Sequence, residues 1–415
     1  MNNSVFEHCA RWCILGVLMG LALSTAVANI ALVFFLLFAL LSNKWKDYFS
    51  LLTRDPLSQY AVGIFTILLL SVGWSDAGSG IALQWVSKYK KLLLIPLAMP
   101  FFQTNEHKRL FINSIYLSLM IALLISYYQY FVGGRERGCI DLGCLIHGHI
   151  TLSMQICLLL ILSIGSALSS RNLIGSIVFY SIAVMSALNV ALVLQSRTGQ
   201  LMLIALLVFL PFILIERHAA GMQRKRLLAL MFSVLVVGLL TAGIFHKKES
   251  RLVESIQKIT EQKVDSFKST DTAVSVDVRF EFYRKTLTLI ADKPLLGWGA
   301  GGQELELKRL SEQGVTDYER IVFANPHNEY LTWAVQTGLL GLACFLFWLF
   351  TVWRHAFKME DPAHKLIMLG WLLIFTLGNF LNSFLLDFSE GYMTVLLIAV
   401  LMPFQSQRPC STEEK

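Results

Sequence analysis

The chain has 415 residues, 55% of them hydrophobic and only 15% charged, against about 25% charged in a soluble domain; this excludes a water-soluble globular fold and implies a polytopic membrane protein. The net charge of +7 does not mark a nucleic-acid reader, because the basic residues anchor short loops between apolar runs and form no basic-aromatic patch. Seven cysteines without C-x-x-C spacing, and with no histidines at zinc distances, give no structural metal site.

Apolar runs near the 20 or so residues that a membrane helix needs set the plan. Residues 12–41 are too long for one helix, and Ser24, Thr25 and Asn29 near the middle predict two helices joined by a tight turn. Ala26-Val27-Ala28 imitates a signal-peptidase site, but apolar character resumes at once to Leu41, so the reading is two retained helices. Further spans are predicted at 57–73, at 92–102 (short, and broken by Pro96 and Pro100), and at 110–132, 149–168, 173–194, 201–215 and 227–245. A polar interruption from Phe245 to Tyr330 follows, then spans at 331–353, 365–383 and 391–404.

The predicted fold is therefore an all-α polytopic membrane protein of about 12 transmembrane helices, with one large helical loop between helices 9 and 10. Residues 1–245 hold helices 1–9, residues 246–329 the loop, residues 330–404 helices 10–12, and residues 405–415 a tail. With the N-terminus cytoplasmic, inner loops hold sixteen basic residues and the short outer loops six, as the positive-inside rule requires. The long loop then faces outward.

Within that loop, residues 250–269 carry spaced apolar side chains among charges, which suits an amphipathic helix at the bilayer surface. A second helix is predicted at 277–292, with Phe280, Tyr283, Leu287 and Ile290 as its apolar stripe, ended by Pro294. Residues 297–302 read as a flexible glycine turn, and 304–313 as one more short helix. No Gly-Lys-Ser/Thr follows the glycines, so this is not a nucleotide-binding loop. A Gly-x-Ser-x-Gly elbow and a His-Glu-x-x-His pair are also missing, which removes serine-hydrolase and zinc-protease chemistry.

What remains is arginine and histidine at a membrane surface. Arginine's planar fork suits phosphate and stays charged at any relevant pH. Arg197, in the turn Gln195-Ser196-Arg197-Thr198-Gly199-Gln200, either snorkels to headgroups or binds an anion; Arg279 and Arg284 either belong to a solvated face or do the same. His327, in Asn325-Pro326-His327-Asn328-Glu329-Tyr330-Leu331, caps a helix or accepts a proton from a hydroxyl group. His147 and His149 are pocket candidates lacking a third metal-ligating partner. Cys139 and Cys144 share one short outer loop, as a local disulfide or as two thiols.

These stations, in this order, resemble the O-antigen ligases within the wider group of membrane O-antigen polymerases and ligases. The likeness rests on the Arg197 turn, on Arg279-x-x-x-Tyr283 running to the segment from Asp292 to Gly299, and on Pro326-His327-Asn328-Glu329 followed by Gly338-Leu339-Leu340-Gly341. The resemblance implies an enzyme of the bacterial inner membrane, its active site facing the periplasm, that moves a glycan from undecaprenyl diphosphate to lipid A-core. It implies no metal and no other cofactor. Arg197 and Arg279 would hold the donor diphosphate and His327 would be the base, with Gln195, Gln200, Tyr283, Arg284, Asn328 and Glu329 in support. The α-linked donor, attacked directly, implies inversion in one step. O-antigen polymerases and protein O-oligosaccharyltransferases share the lipid donor and are the alternative readings; a small-anion transporter is a more distant one, because the charges lie at the surface rather than at the bilayer midplane.

Overall fold

The computed structural model describes residues 3–133, 148–170, 172–215, 271–314 and 323–402. Every regular element among them is helical. The first half comprises α1 (Asn3–Leu23), α2 (Thr25–Leu41), α3 (Trp45–Arg54), α4 (Pro56–Leu70), α5 (Gly78–Tyr89), α6 (Leu94–Ala98), α7 (Asn105–Phe131), α8 (His149–Ser169), α9 (Leu173–Leu188) and α10 (Arg197–Ile215). After the break come α11 (Asp271–Asp292), α12 (Gly302–Glu312), α13 (Glu329–Phe357), α14 (Pro362–Gly378) and α15 (Phe388–Leu401).

Six helical stretches among the described residues are long and apolar enough to cross a membrane, or seven if α2 and α3, bent by 99° at their junction, count as one. Three shorter apolar helices are Arg197–Leu210 within α10, the whole of α14 and the whole of α15. The predicted span at 227–245, the amphipathic segment at 250–269 and the tail at 405–415 lie outside the described residues.

Local chemistry explains the breaks. Ser24 adopts extended backbone between α1 and α2, and Gly20 lets the hairpin close, since a Cβ there would fall on the Ala28 backbone. Asp55 starts α4 by accepting from the Ser58 amide at 2.9 Å, with Pro56 at the first helical position. The stretch 92–102 differs from the predicted span. Only Leu94–Ala98 is α-helical, flanked by 3-10 turns Lys90–Leu93 and Met99–Phe101. Pro96 and Pro100 remove two backbone donors within five residues, so no continuous helix can form. The helical path instead begins earlier, at Gly78.

All predicted elements of the second half of the loop are present, but the glycine segment is not a free turn. Trp298 and Gly299 donate their amides to the Val335 and Gln336 carbonyls at 2.8 and 2.9 Å, and Leu339 donates to Pro294 at 2.8 Å. These bonds are possible because α13 is kinked at Gly338, with φ 68° and ψ −175°. On the other side, Ser75 donates to the Ala300 carbonyl at 2.7 Å, Ser71 accepts from the Ala300 amide, and Trp85 donates to Glu304 at 2.8 Å. The segment is clamped between the α4–α5 region and the α13 kink.

The helices have two distinguishable ends. At one, Gly199 of α10 abuts Ser153 of α8, Thr151 of α8 lies beside Glu390 of α15, and Glu329 accepts from Tyr89 at 2.9 Å. At the other, Lys108 of α7 lies close to Asp361, which caps α14. The loop helices sit at the first end.

Candidate active site

Residues 325–329 build the centre of that first end. Asn325 accepts through one side-chain oxygen from the His327 amide at 3.0 Å, from Ser383 at 2.8 Å and from Thr332 at 3.3 Å. Asn328 caps α13 by accepting from the Leu331 amide and donates to the Phe380 carbonyl at 3.1 Å. Between them His327 takes left-handed backbone geometry, φ 53°, which projects its ring away from the helix axis. A non-glycine residue in that region is uncommon and costs energy, and such strain collects at functional sites.

Among the described residues the His327 ring makes one hydrogen bond. Nδ1 lies 3.1 Å from Asn382 Oδ1. The orientation of that amide is set by its other half, since Asn382 Nδ2 donates to the Asp387 carboxylate at 3.0 Å. An acceptor facing Nδ1 requires Nδ1 to carry the proton, so neutral His327 offers the lone pair of Nε2. The ring also lies nearly parallel to that of Phe282, centroids 6.3 Å apart. Though the residue as a whole stays exposed, burial of the ring lowers its pKa below the ordinary value; the Asn382 bond acts in the opposite sense and the nearby Arg279 charge adds to the depression. The imidazole is therefore neutral at physiological pH.

Arg279 lies one helical turn before Tyr283 on α11, whose hydroxyl donates to the Phe380 carbonyl at 2.8 Å. That bond docks α11 on the same 379–387 turn that holds Asn382, and it brings the Arg279 guanidinium within electrostatic reach of His327. Burial lowers the Arg279 pKa, with the Tyr283 hydroxyl partly opposing; a guanidinium remains charged regardless. Arg279, Tyr283, His327 and Asn328 thus form one cluster. Arg284 points elsewhere: its guanidinium makes a two-pronged bond to Glu281 at 2.8 and 2.7 Å and is exposed.

Glu329 is fully buried and accepts from Tyr89, from Trp333 at 2.9 Å and from the Leu386 amide at 3.1 Å. It ties α5, α13 and the 379–387 turn together. Its position in the motif next to His327 therefore reflects scaffolding. The same holds around Arg197. Ser196 caps α10 by accepting from the Gly199 amide, and buried Gln200 donates to the Ala191 carbonyl at 2.9 Å, within a π-helical stretch Asn189–Leu194 that widens the preceding turn. Gln195 is left-handed at φ 48° and donates to Leu192. These bonds fix a half-buried Arg197 at the head of α10, at the end of the bundle that carries His327. His149 begins α8 beside it, its carbonyl accepting from Ser153. His147, Cys139 and Cys144 lie outside the described residues.

Asn382 and Asp387 were not among the sequence candidates. No local pattern marks them: they lie 55 and 60 residues after His327 in a turn that reads as an ordinary interhelical connection. Lys91, also buried, donates to the Asp387 and Leu386 carbonyls at 2.5 and 3.1 Å and anchors that turn.

Among the described residues no group of three or more metal-ligating side chains is assembled. What the cluster can do is hold an anion against Arg279 and take a proton at His327 Nε2. Residues 182–346 match the O-Antigen ligase family model, a stretch that takes in the Arg197 turn, Arg279, Tyr283 and His327. A search of curated proteins finds no match. The family match supports assigning the chain to the O-antigen ligase family and, in general terms, to ligase- or polymerase-type glycosyl transfer by an integral membrane protein.

Proposed function

We propose that the chain, as a member of the O-antigen ligase family, moves an O-antigen glycan from undecaprenyl diphosphate to a sugar hydroxyl of lipid A-core at the periplasmic face of the inner membrane. The observation that carries this reading is the cluster of Arg279, Tyr283 and His327, in which a fixed cation meets an imidazole with its Nε2 lone pair available.

The acceptor hydroxyl gives its proton to His327 Nε2 while its oxygen attacks the anomeric carbon. The bond from that carbon to the phosphate oxygen breaks, and the electron pair leaves on the diphosphate. Arg279 and Arg197 stabilise the developing charge, the role that preorganised donors play in such transition states. His327 returns to neutrality by losing its proton to solvent through the exposed side of the ring. Direct displacement inverts the anomeric centre and leaves no covalent intermediate. Charge neutralisation by arginine needs no divalent ion, so transfer by purified enzyme is expected to survive chelation; recovery of lost activity on adding magnesium or manganese would overturn that point.

The deciding experiment is the lipopolysaccharide ladder of a strain deleted for this chain. Loss of the ladder while lipid-linked polymer accumulates identifies a ligase. A single repeat still attached to core, with longer chains missing, identifies a polymerase instead. An unchanged ladder, with glycan lost from an exported protein, identifies a protein-directed transferase.

A further inference from the structure

The end of the bundle away from His327 carries a concave site that the glycosyl-transfer reading does not use. A cavity of about 520 Å³ opens between the first turns of α1 and α7, lined by His8, Arg11, Trp12, Glu106, His107 and Arg109, with Leu15, Leu110 and Asn113 completing the wall. Its polarity is that of the opposite end, because the same turn of α7 holds Lys108 near Asp361 at the head of α14.

Three features give this cavity its chemistry. Two guanidiniums line it against one carboxylate. Glu7, an acid outside the lining, is engaged by Lys44 at 3.2 Å and only loosely by Arg11 at 4.0 Å, so the cavity keeps an excess of positive charge. Trp12 is 55% exposed, with its indole nitrogen donating to His8 Nε2 at 2.7 Å; an exposed Trp at the head of an apolar helix is an interfacial anchor. From the rim of the cavity, Leu110, Leu117 and Leu124 run along one face of α7 at seven-residue spacing, all exposed. That stripe continues from the polar cavity onto the lipid-facing wall.

A charged head site continuous with an apolar track fits a molecule that is itself anionic at one end and apolar at the other. We infer that this cavity binds an anionic glycerophospholipid, its phosphodiester held by Arg11 and Arg109 and an acyl chain lying along Leu110, Leu117 and Leu124. A free phosphate would satisfy the guanidiniums but would leave the leucine track and Trp12 unexplained. Basic pockets between membrane helices recognise anionic headgroups in this way, and Arg supplies two parallel bonds to phosphate oxygens.

The test uses the full chain, purified in detergent and exchanged into mixed micelles of phosphatidylglycerol and phosphatidylcholine, with retained lipids counted by native mass spectrometry. The wild-type protein is expected to retain phosphatidylglycerol over phosphatidylcholine. Each guanidinium removed should lower that preference about fivefold, since one basic residue near an anionic lipid surface contributes on the order of 1 kcal/mol; Arg11→Gln with Arg109→Gln together should abolish it. Soluble glycerophosphate at millimolar concentration should not compete. Equal retention of both lipids by the wild type, or unchanged preference in the double variant, overturns the proposal; displacement by glycerophosphate replaces the lipid with a soluble anion. Should the double variant fail to fold, Arg109→Glu alone, at an exposed position, must lose the preference while keeping the wild-type elution profile. Glycosyl transfer is read separately, so failure of either idea leaves the other standing.

Discussion

At the residue scale, the neighbours of His327 support the base role proposed for it. Asn382 fixes the tautomer, Asp387 fixes Asn382, and burial keeps the ring neutral. His327→Ala should lower turnover about 100- to 10,000-fold, the usual contribution of general acid–base catalysis, with donor affinity retained. Because the pKa is depressed, the base form persists through neutrality. Activity should then fall only as pH drops past a point below the unperturbed value of about 6.5. Asn382→Leu removes the bond that opposes the depression; the acid limb should move lower still, while misorientation of the ring costs up to about 100-fold in turnover. Lost donor affinity with intact turnover in His327→Ala would remove the base assignment. Arg279 faces a different demand. Arg279→Lys keeps the charge but not the fork, so turnover should fall about 100-fold or more, as measured on lipid-linked donor with the variant shown to be inserted; near-normal activity would end the diphosphate role. Arg279, Tyr283 and His327, which the structure brings into one cluster, were all named from the sequence, whereas Asn382 was not. An amide that acts by orienting another side chain leaves no pattern in a single sequence.

At the scale of elements, the loop is positioned by backbone contact. The helices at 271–292 and 302–312 were expected at 277–292 and 304–313, the first from its apolar spacing and from Pro294. The docking of residues 297–299 onto 335–338 was not, because glycines report conformational freedom without naming the partner that uses it. Gly338 shows what the freedom serves: at φ 68° a Cβ would fall on the Leu295 carbonyl, and Gly297 brings its own α-carbon to the same junction, where a Cβ would stand 2.6 Å from the Gly338 nitrogen. Gly338→Ala should therefore destabilise the protein by at least about 1–3 kcal/mol from backbone strain alone, and it should lower turnover, because α11 and Arg279 are carried by the displaced loop. A thermal melt in detergent alongside single-turnover transfer checks both effects. An unchanged melting midpoint would mean that the kink tolerates a side chain and that the loop is held by other contacts.

At the scale of the whole molecule, the two ends carry different groups. Arg11, Lys108, Arg109 and Lys358 gather at the end that carries Asp361 and the second cavity. The end with His327 instead carries α11 and α12. Helix count and sidedness rest on different features of the sequence. Hydropathy treats every apolar run as a potential crossing; six or seven helices meet the length requirement among the described residues, and the expected span at 227–245 lies outside them. Sidedness rests on which loops hold basic charge, together with the number of spans between them. It yields a direct test in a background with the natural cysteines replaced by serine. Gln313 and Glu360 are both exposed, the first just past α12 and the second beside the α13–α14 connection. In intact spheroplasts a membrane-impermeant maleimide should label Gln313→Cys and spare Glu360→Cys until the membrane is opened. The reverse pattern would put His327 in the cytoplasm, where transfer onto a periplasmic acceptor is impossible, and would sink the proposed reaction together with the topology.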